Sequence, residues 1–328
     1  MHVKPWEWMV KPTPQEEWIE GKGLLSWLSF FSVALGAGMY FVAAILDYPW
    51  AMVTGYLVCL VVGGGTKMVD LGKPSRAWRM LLNYEGEGGL LQAMLLLFKN
   101  PVKFVKMFMN SGWKTSWISR GMYFIGLFMI LGLVHIILTF TLNNYATGIA
   151  TLGSVTGIFA ILMIIASVLV TVYAGLLIGY VKAIPLWGSA MMPLFFVVSG
   201  FLGGAALALA GRMNNAAAIG WLQILVLAYV AVVIVYLWNA WNQSGASNYS
   251  VRHMIKGGGM LPIIFYVGVV LLGILWPVAT VIISYVSNAD LTILLSVAIA
   301  GVLIGDLSMR YLIMRCGTYT PLIPTSPY

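Results

Sequence analysis

Four side chains that can hold or pass a proton lie inside long apolar runs of this chain or at their ends. Lys67 and Asp70 stand where one such run stops, Tyr173 lies near the end of another, and His135 lies within a third. Lys67 and Asp70 are three residues apart, so a helix would place them on one face, where they can pair. Ionisable groups at the depth where lipid meets water are costly to bury, and they therefore indicate a functional site.

Each of these residues also has a structural explanation, which the sequence leaves open. Lys67 and Asp70 would form an ion pair at a helix end, and a tyrosine such as Tyr173 commonly hydrogen-bonds a neighbouring helix. A lone intramembrane histidine usually does the same, although it can relay protons near neutral pH. For Asp306 and Arg310 in the last apolar run we favour structure, and we predict an i,i+4 ion pair.

The composition places these residues in an integral membrane protein. Of the 328 residues, 61% are hydrophobic and only 9% are charged, and the mean hydropathy is +0.92. Soluble domains carry about a quarter charged residues. Eight runs are long enough to cross the hydrocarbon core, which takes roughly 20 residues of helix. They cover residues 23–46, 51–69, 121–141, 153–181, 185–210, 216–238, 261–284 and 291–313.

These runs are too long and too uniformly apolar for the strands of a β-barrel. The fold class is therefore all-α, a polytopic membrane protein with eight transmembrane helices. The helices must place Lys67 and Asp70 at the end of the second span and Tyr173 near the end of the fourth. Counting spans puts these three residues at the same membrane face.

The spans divide the chain into four regions. Residues 1–22, rich in Trp, Pro and Glu, are predicted to form an interfacial arm rather than a signal peptide, with a partner contact as the alternative. Residues 23–210 hold five spans and a long basic loop at 70–120. Residues 211–313 hold three further spans, and residues 314–328 form a polar tail.

Within the basic loop, the segment after Pro101 alternates Lys103 and Lys106 with Phe and Met. This pattern predicts an amphipathic helix that lies in the membrane interface, in contact with lipid.

Cysteine and histidine are too scarce for several cofactors. Cys59 and Cys316 cannot supply the four thiolates that an iron–sulfur cluster usually needs, so any cluster must belong to a partner. Only His135 of the three histidines lies in a span, which argues against a haem held by two helix histidines. We therefore expect neither haem, iron–sulfur cluster nor metal site in this chain, and no nucleic-acid partner.

The basic residues predict the orientation. Eight spans put both termini on one side, and all of the 18 Lys and Arg residues except Arg212 fall on that side. The positive-inside rule then places both termini and the loop 70–120 in the cytoplasm, with the spans in the cell inner membrane. A basic loop can also be the docking surface of an acidic partner.

Several motifs, taken in order with the spans, resemble the NrfD/polysulfide-reductase membrane-subunit family over roughly residues 27–207. They are Asp-Leu-Gly-Lys-Pro-Ser-Arg-Ala-Trp at 70–78, Thr-Ser-Trp-Ile-Ser-Arg-Gly at 115–121, Tyr-Ala-Gly-Leu-Leu at 173–177, Pro-Leu-Trp at 185–187 and Met-Pro-Leu-Phe-Phe at 192–196. The resemblance implies eight helices in two packed bundles and a quinone-reactive subunit without haem. It also implies a ferredoxin-like iron–sulfur subunit docked on the basic loops. Beyond the iron–sulfur subunit, the resemblance implies a further catalytic subunit, for which a molybdopterin protein is the candidate.

The resemblance further implies a binding site for a quinone, either menaquinone or ubiquinone. In the family, a tyrosine matching Tyr173 hydrogen-bonds the quinone head group, and an acidic residue matching Asp70 lies near it. Members carry Asn and His in the early turns of the first span, where this chain has Ser26 and Ser29, so this half of the site differs.

Quinone chemistry moves two electrons and two protons, so the head group needs hydrogen-bonding partners and a titratable group that leads to water. Lys67, Asp70 and His135 are the candidates for the proton steps. Two other functions remain open. A secondary transporter would suit eight spans, although the polar residues crowd towards one face rather than the midplane. A passive membrane anchor would tolerate the loss of Tyr173 and Asp70.

Overall fold

The computed structural model describes residues 7–70, 73, 76, 78–79, 81–82, 89–114, 116–142, 154–212, 216–286 and 292–323, apart from the side chains of residues 7, 8, 70, 90 and 285. Eight helices in these ranges are long and apolar enough to cross a membrane, which confirms the polytopic all-α fold. The spans, numbered first to eighth, are Gly23–Ile45, Pro49–Val69, Trp117–Thr141, Val155–Gly179, Met191–Ala210, Ala216–Gln243, Leu261–Ser284 and Thr292–Arg315.

The spans form two bundles, as the resemblance implies. In the first bundle, the first span packs against the second and fourth, and the third packs against the fourth. In the second bundle, the fifth span packs against the sixth and eighth, and the seventh packs against the eighth. The first and fourth spans both pack against the fifth and so join the two bundles. A Cβ atom on Gly38 would overlap the carbonyl oxygen of Gly200, so only glycine allows this close approach of two backbones.

The second span is irregular where it approaches its polar end. Its middle, Val58–Gly64, is a π-helix, and the final segment, Gly65–Asp70, returns to α-helix. Ser29 of the first span donates a hydrogen bond of 3.0 Å to the carbonyl oxygen of Gly63. The wider π-turn changes the rotation of the residues that follow it, and it therefore determines which way Lys67 points.

Two helices, Gly89–Lys99 and Pro101–Met109, occupy the basic loop. Asn100 caps the second of them by accepting a 3.0 Å hydrogen bond from the backbone of Lys103. The helix predicted after Pro101 is thus confirmed. The outer surface of the pair exposes a group of large apolar side chains, as an interfacial helix requires; they are Leu91, Phe98, Val102 and Val105.

The N-terminal arm is fixed to the C-terminal tail. Strand β1, Thr13–Pro14, pairs antiparallel with β2, Thr318–Tyr319. Gln15 extends this contact, since its backbone NH donates to the carbonyl oxygen of Gly317 at 2.8 Å and its side chain donates to Met314. The described ends of the chain therefore lie together, at one end of the bundles.

Trp187, in the turn between the fourth and fifth spans, contacts both the arm and the end of the eighth span. Its indole Nε1 donates to the carbonyl oxygen of Ile313 at 2.7 Å. Trp18 of the arm packs edge-on against the same ring, with centroids 5.5 Å apart. Because this turn includes Trp187, the fifth span begins at Met191 and not at the predicted residue 185.

Candidate functional site

An open pocket of about 330 Å³ lies beside the start of the first span, at the end where the arm and the tail meet. Its volume is within the range of small-ligand sites. We call it the first-bundle pocket. The arm, the first and second spans, and the ends of the third and fourth spans contribute its lining residues, which are Glu17, Trp18, Lys22, Gly23, Ser26, Phe30, Lys67, Ile118 and Leu177.

The structure brings Lys67 and Ser26, both predicted site residues, to the wall of this pocket. The Nζ atom of Lys67 donates to Oγ of Ser26 at 3.5 Å and lies 5.1 Å from the ring centroid of Phe30. A cation over an aromatic face is held by the ring quadrupole, so Phe30 helps to fix the ammonium group. Asp70 is the last residue of the second span's final segment, and its side chain lies outside the described part of the chain.

Two other predicted residues lie behind this wall. Ser29 is fully buried, and its hydroxyl is bonded to the second span as described above. Tyr173 is only 3% exposed and packs edge-on against Phe30, with ring centroids 6.4 Å apart. Gly121 gives the Tyr173 ring its space, because a Cβ atom there would overlap it. Tyr173 is thus separated from the pocket by one side chain, while Leu177, one turn later, lines it.

His135 lies elsewhere in the first bundle. Its Nδ1 atom is 2.8 Å from the hydroxyl of Tyr40, and its carbonyl oxygen accepts a hydrogen bond from Thr139. Tyr40 follows Ser26 by fourteen residues, which places it about 21 Å further along the first span. Among the described residues, Nε2 of His135 is buried without a hydrogen-bond partner. The structure therefore does not bring His135 together with Lys67 and Ser26.

Glu17 is a pocket residue that the sequence reasoning missed. It is exposed to water on the arm, and its Oε2 accepts a 3.4 Å hydrogen bond from the hydroxyl of Tyr319 in the tail. Burial and the Glu17 carboxylate raise the pKa of Tyr319, which therefore stays a proton donor to Glu17. Glu17 connects the pocket to solvent. Its only signal in the sequence was an acidic residue beside a tryptophan, just before an apolar span.

A buried ion pair in the second bundle is hydrogen-bonded to the backbone of Phe30, a residue of the pocket. The Nε atom of Arg310 lies 3.0 Å from both carboxylate oxygens of Asp306, which confirms the predicted i,i+4 pair. The remaining guanidinium nitrogens donate to Ser199 at 2.5 Å and to the carbonyl oxygen of Phe30 at 3.4 Å. One side chain thereby ties the eighth span to the fifth and to the backbone of a pocket residue.

No group of three or more His, Cys, Asp or Glu side chains that could hold a metal ion occurs in the described ranges. Cys59 and Cys316 are both buried free thiols. The polar groups that line the first-bundle pocket are hydrogen-bond donors and the carboxylate of Glu17, which can orient a carbonyl compound and exchange protons with it.

Eight apolar spans and a polar pocket at one end define a multi-pass α-helical membrane protein. The sequence profile described as polysulphide reductase, NrfD, matches residues 23–322, and the chain therefore belongs to the NrfD family. The match confirms the resemblance and extends it over the last three spans. Proteins of this family are quinone-interacting membrane subunits of oxidoreductase complexes and work with partner subunits. No match was found among curated protein sequences.

Proposed function

We propose that this chain is the haem-free quinone-reactive subunit of a respiratory oxidoreductase complex and that the first-bundle pocket binds the quinone head group. The observation that carries the proposal is the meeting of Lys67, Ser26 and Phe30 in one pocket near the end of the bundles. Family membership supports the ligand class, and menaquinone or ubiquinone would satisfy it equally.

The residues of the pocket fit a quinone head group. A bound quinone would accept or release two electrons together with two protons. The ammonium group of Lys67 and the hydroxyl of Ser26 can donate hydrogen bonds to a carbonyl oxygen, and the largely buried ring of Phe30 holds Lys67 in place. Ile118 and Leu177 form an apolar side of the pocket, where an isoprenoid tail can leave towards lipid.

The protons would travel through residues at the water-facing side. Glu17 reaches solvent and can hold a proton at its carboxylate, next to the hydroxyl of Tyr319. Asp70 stays the predicted second acid. Tyr173 can reach a head group once the side chain of Phe30 moves aside, because Phe30 is the contact between Tyr173 and the pocket. His135 stays a predicted relay, deeper in the first bundle.

Electrons would be exchanged with a ferredoxin-like iron–sulfur subunit that docks on the basic loop face, and a further catalytic subunit would follow it. The positive-inside rule favours a cytoplasmic location for that face in the cell inner membrane. A reporter fused to the C-terminus tests the orientation, and periplasmic activity of the reporter would overturn it.

Replacement of Lys67 by methionine tests the site. We expect K67M to lower quinone retention in the purified complex at least tenfold, since hydrogen bonds to charged groups are worth about 1.5–3 kcal/mol. Lys256 provides the matched control, because it is an exposed lysine outside the pocket. Quinone contents in K67M as high as those in K256Q would refute the site. Y173F and D70N should each impair quinone turnover while the complex still assembles.

The partner is tested by gentle solubilisation of native membranes that contain the tagged chain, followed by mass spectrometry and iron analysis. We expect a companion with ferredoxin-type cysteine motifs. Recovery of the chain alone and free of iron, in several mild detergents, would favour the secondary transporter instead.

A further inference from the structure

A second and larger hollow, of about 610 Å³, lies on the other side of the arm. We call it the second-bundle hollow. The arm contributes Lys11 and Glu16, the helix Gly245–Lys256 contributes His253, and the ends of the seventh and eighth spans complete the wall. The proposed quinone chemistry uses none of these residues.

Basic side chains from three separate elements converge on the second-bundle hollow. Lys11 comes from the arm, His253 from the helix Gly245–Lys256 and Arg315 from the eighth span, whereas Glu16 is the one acid among its lining residues. Arg315 is held in place by a 2.7 Å ion pair with Glu20. Burial and, secondarily, the charge of Arg315 lower the pKa of His253, so its imidazole is neutral at pH 7 and offers an N–H donor rather than a charge. An anion in the hollow would face the charges of Lys11 and Arg315.

The wall also offers aromatic hydroxyl groups. The ring of Tyr249 stacks on the imidazole of His253, with an interplanar angle of 5° and centroids 6.1 Å apart. Tyr311 also lines the hollow and is packed edge-on against Trp27. Hydroxyl donors beside cations suit the oxygens of a phosphate group.

One side of the second-bundle hollow continues into the lipid-facing surface. Met260 and Ile264, at the start of the seventh span, line the hollow, and Met260 is 64% exposed. Ile263, Val267 and Leu271 follow at helical spacing and form an exposed apolar stripe that runs away from it. A ligand with an anionic head and apolar chains could therefore place its head in the hollow and its chains along the stripe.

We propose that the second-bundle hollow binds the phosphate head group of one acidic phospholipid. Basic pockets between transmembrane helices are suited to anionic lipid head groups, and this one lies where the spans end. The bound lipid would fill the gap between the arm and the second bundle, and it would reinforce the arm beside the first-bundle pocket. The proposal is independent of quinone binding.

Native mass spectrometry of the delipidated full chain, with added phosphatidylglycerol, phosphatidylcholine or inorganic phosphate, tests this site. We expect one phosphatidylglycerol to be retained in preference to phosphatidylcholine. K11Q should lower its affinity about fivefold, the usual contribution of one basic residue near an anionic lipid. H253Q should also lower it.

Arg252 provides the matched control, because it is an exposed cation on the same helix as His253, lies over the ring of Trp241 at 5.4 Å, and does not line the hollow. R252Q should bind phosphatidylglycerol as the unaltered chain does. Equal retention of the two lipids, or equal losses in K11Q and R252Q, would overturn the proposal. Complete displacement of phosphatidylglycerol by an equal concentration of phosphate would overturn it too, since a free anion would then be the ligand.

Discussion

Replacement of Arg310 by methionine should be among the most destabilising single changes in this protein. The side chains of Arg310 and Asp306 are 1% and 3% exposed, so the variant leaves a carboxylate without its partner in the interior. Removal of one member of a buried ion pair typically costs about 3–5 kcal/mol. Ser199 and the carbonyl oxygen of Phe30 lose their donor as well.

The double variant R310M/D306L removes both charges and therefore leaves no unpaired carboxylate in the interior. Buried ion pairs replaced by apolar residues of similar volume are often neutral or stabilising, so the double variant should recover most of the loss. R315Q on the same span is the control. It breaks the ion pair between Arg315 and Glu20, whose side chains are 31% and 55% exposed, and should cost about 1 kcal/mol or less.

The assay is the free energy of unfolding in mixed micelles of a mild detergent and dodecyl sulfate, read by circular dichroism. We expect the loss of stability to be largest in R310M, smaller in R310M/D306L and smallest in R315Q. An R310M variant no less stable than R315Q would refute this expectation. The single variant D306L completes the cycle: a double variant whose loss equals the sum of the losses in R310M and D306L would also refute it, because no coupling would then exist between the side chains.

Three further perturbations follow from the structure. G38L should separate the two bundles and prevent recovery of folded protein after extraction, whereas G126L, on a position with open space around it, should fold normally; size-exclusion chromatography distinguishes them. W187F leaves the buried carbonyl oxygen of Ile313 without its donor and should lower the free energy of unfolding by about 1–3 kcal/mol. Since the folded state lowers the pKa of His253, the unfolded chain binds this proton first as the pH falls. Stability should therefore decrease below about pH 6.5, and H253Q should flatten the dependence of the thermal midpoint on pH.

The number of spans and the Asp306–Arg310 pair could be predicted because each depends on local sequence. Length and apolar composition decide whether a helix can cross lipid. Positions four residues apart meet on any helix. Lys67 and Ser26 are in contact because both lie near the same end of adjacent spans. In each of these cases, the position of a residue along its helix was sufficient to explain the result.

The parts that depend on rotation and on distant contacts could not be predicted. The position of Tyr173 in the sequence showed that it lies near the end of the fourth span. Its position behind Phe30, however, depends on how the helices are rotated about their axes and on the space beside Gly121. Glu17 reached the pocket only because the arm pairs with a tail whose sequence gives no sign of that partner. Local patterns carry no information on such pairings.

The pairing of the arm with the tail has a consequence for biogenesis. Glu17 is held by Tyr319, which is 302 residues later in the chain. At a synthesis rate of about 5–20 residues per second, the arm must wait roughly 15–60 seconds for its strand partner. The water-facing wall of the first-bundle pocket is therefore completed last, after the eighth span has left the insertion machinery. A chain that lacks Tyr319 can insert its early spans but cannot form this wall.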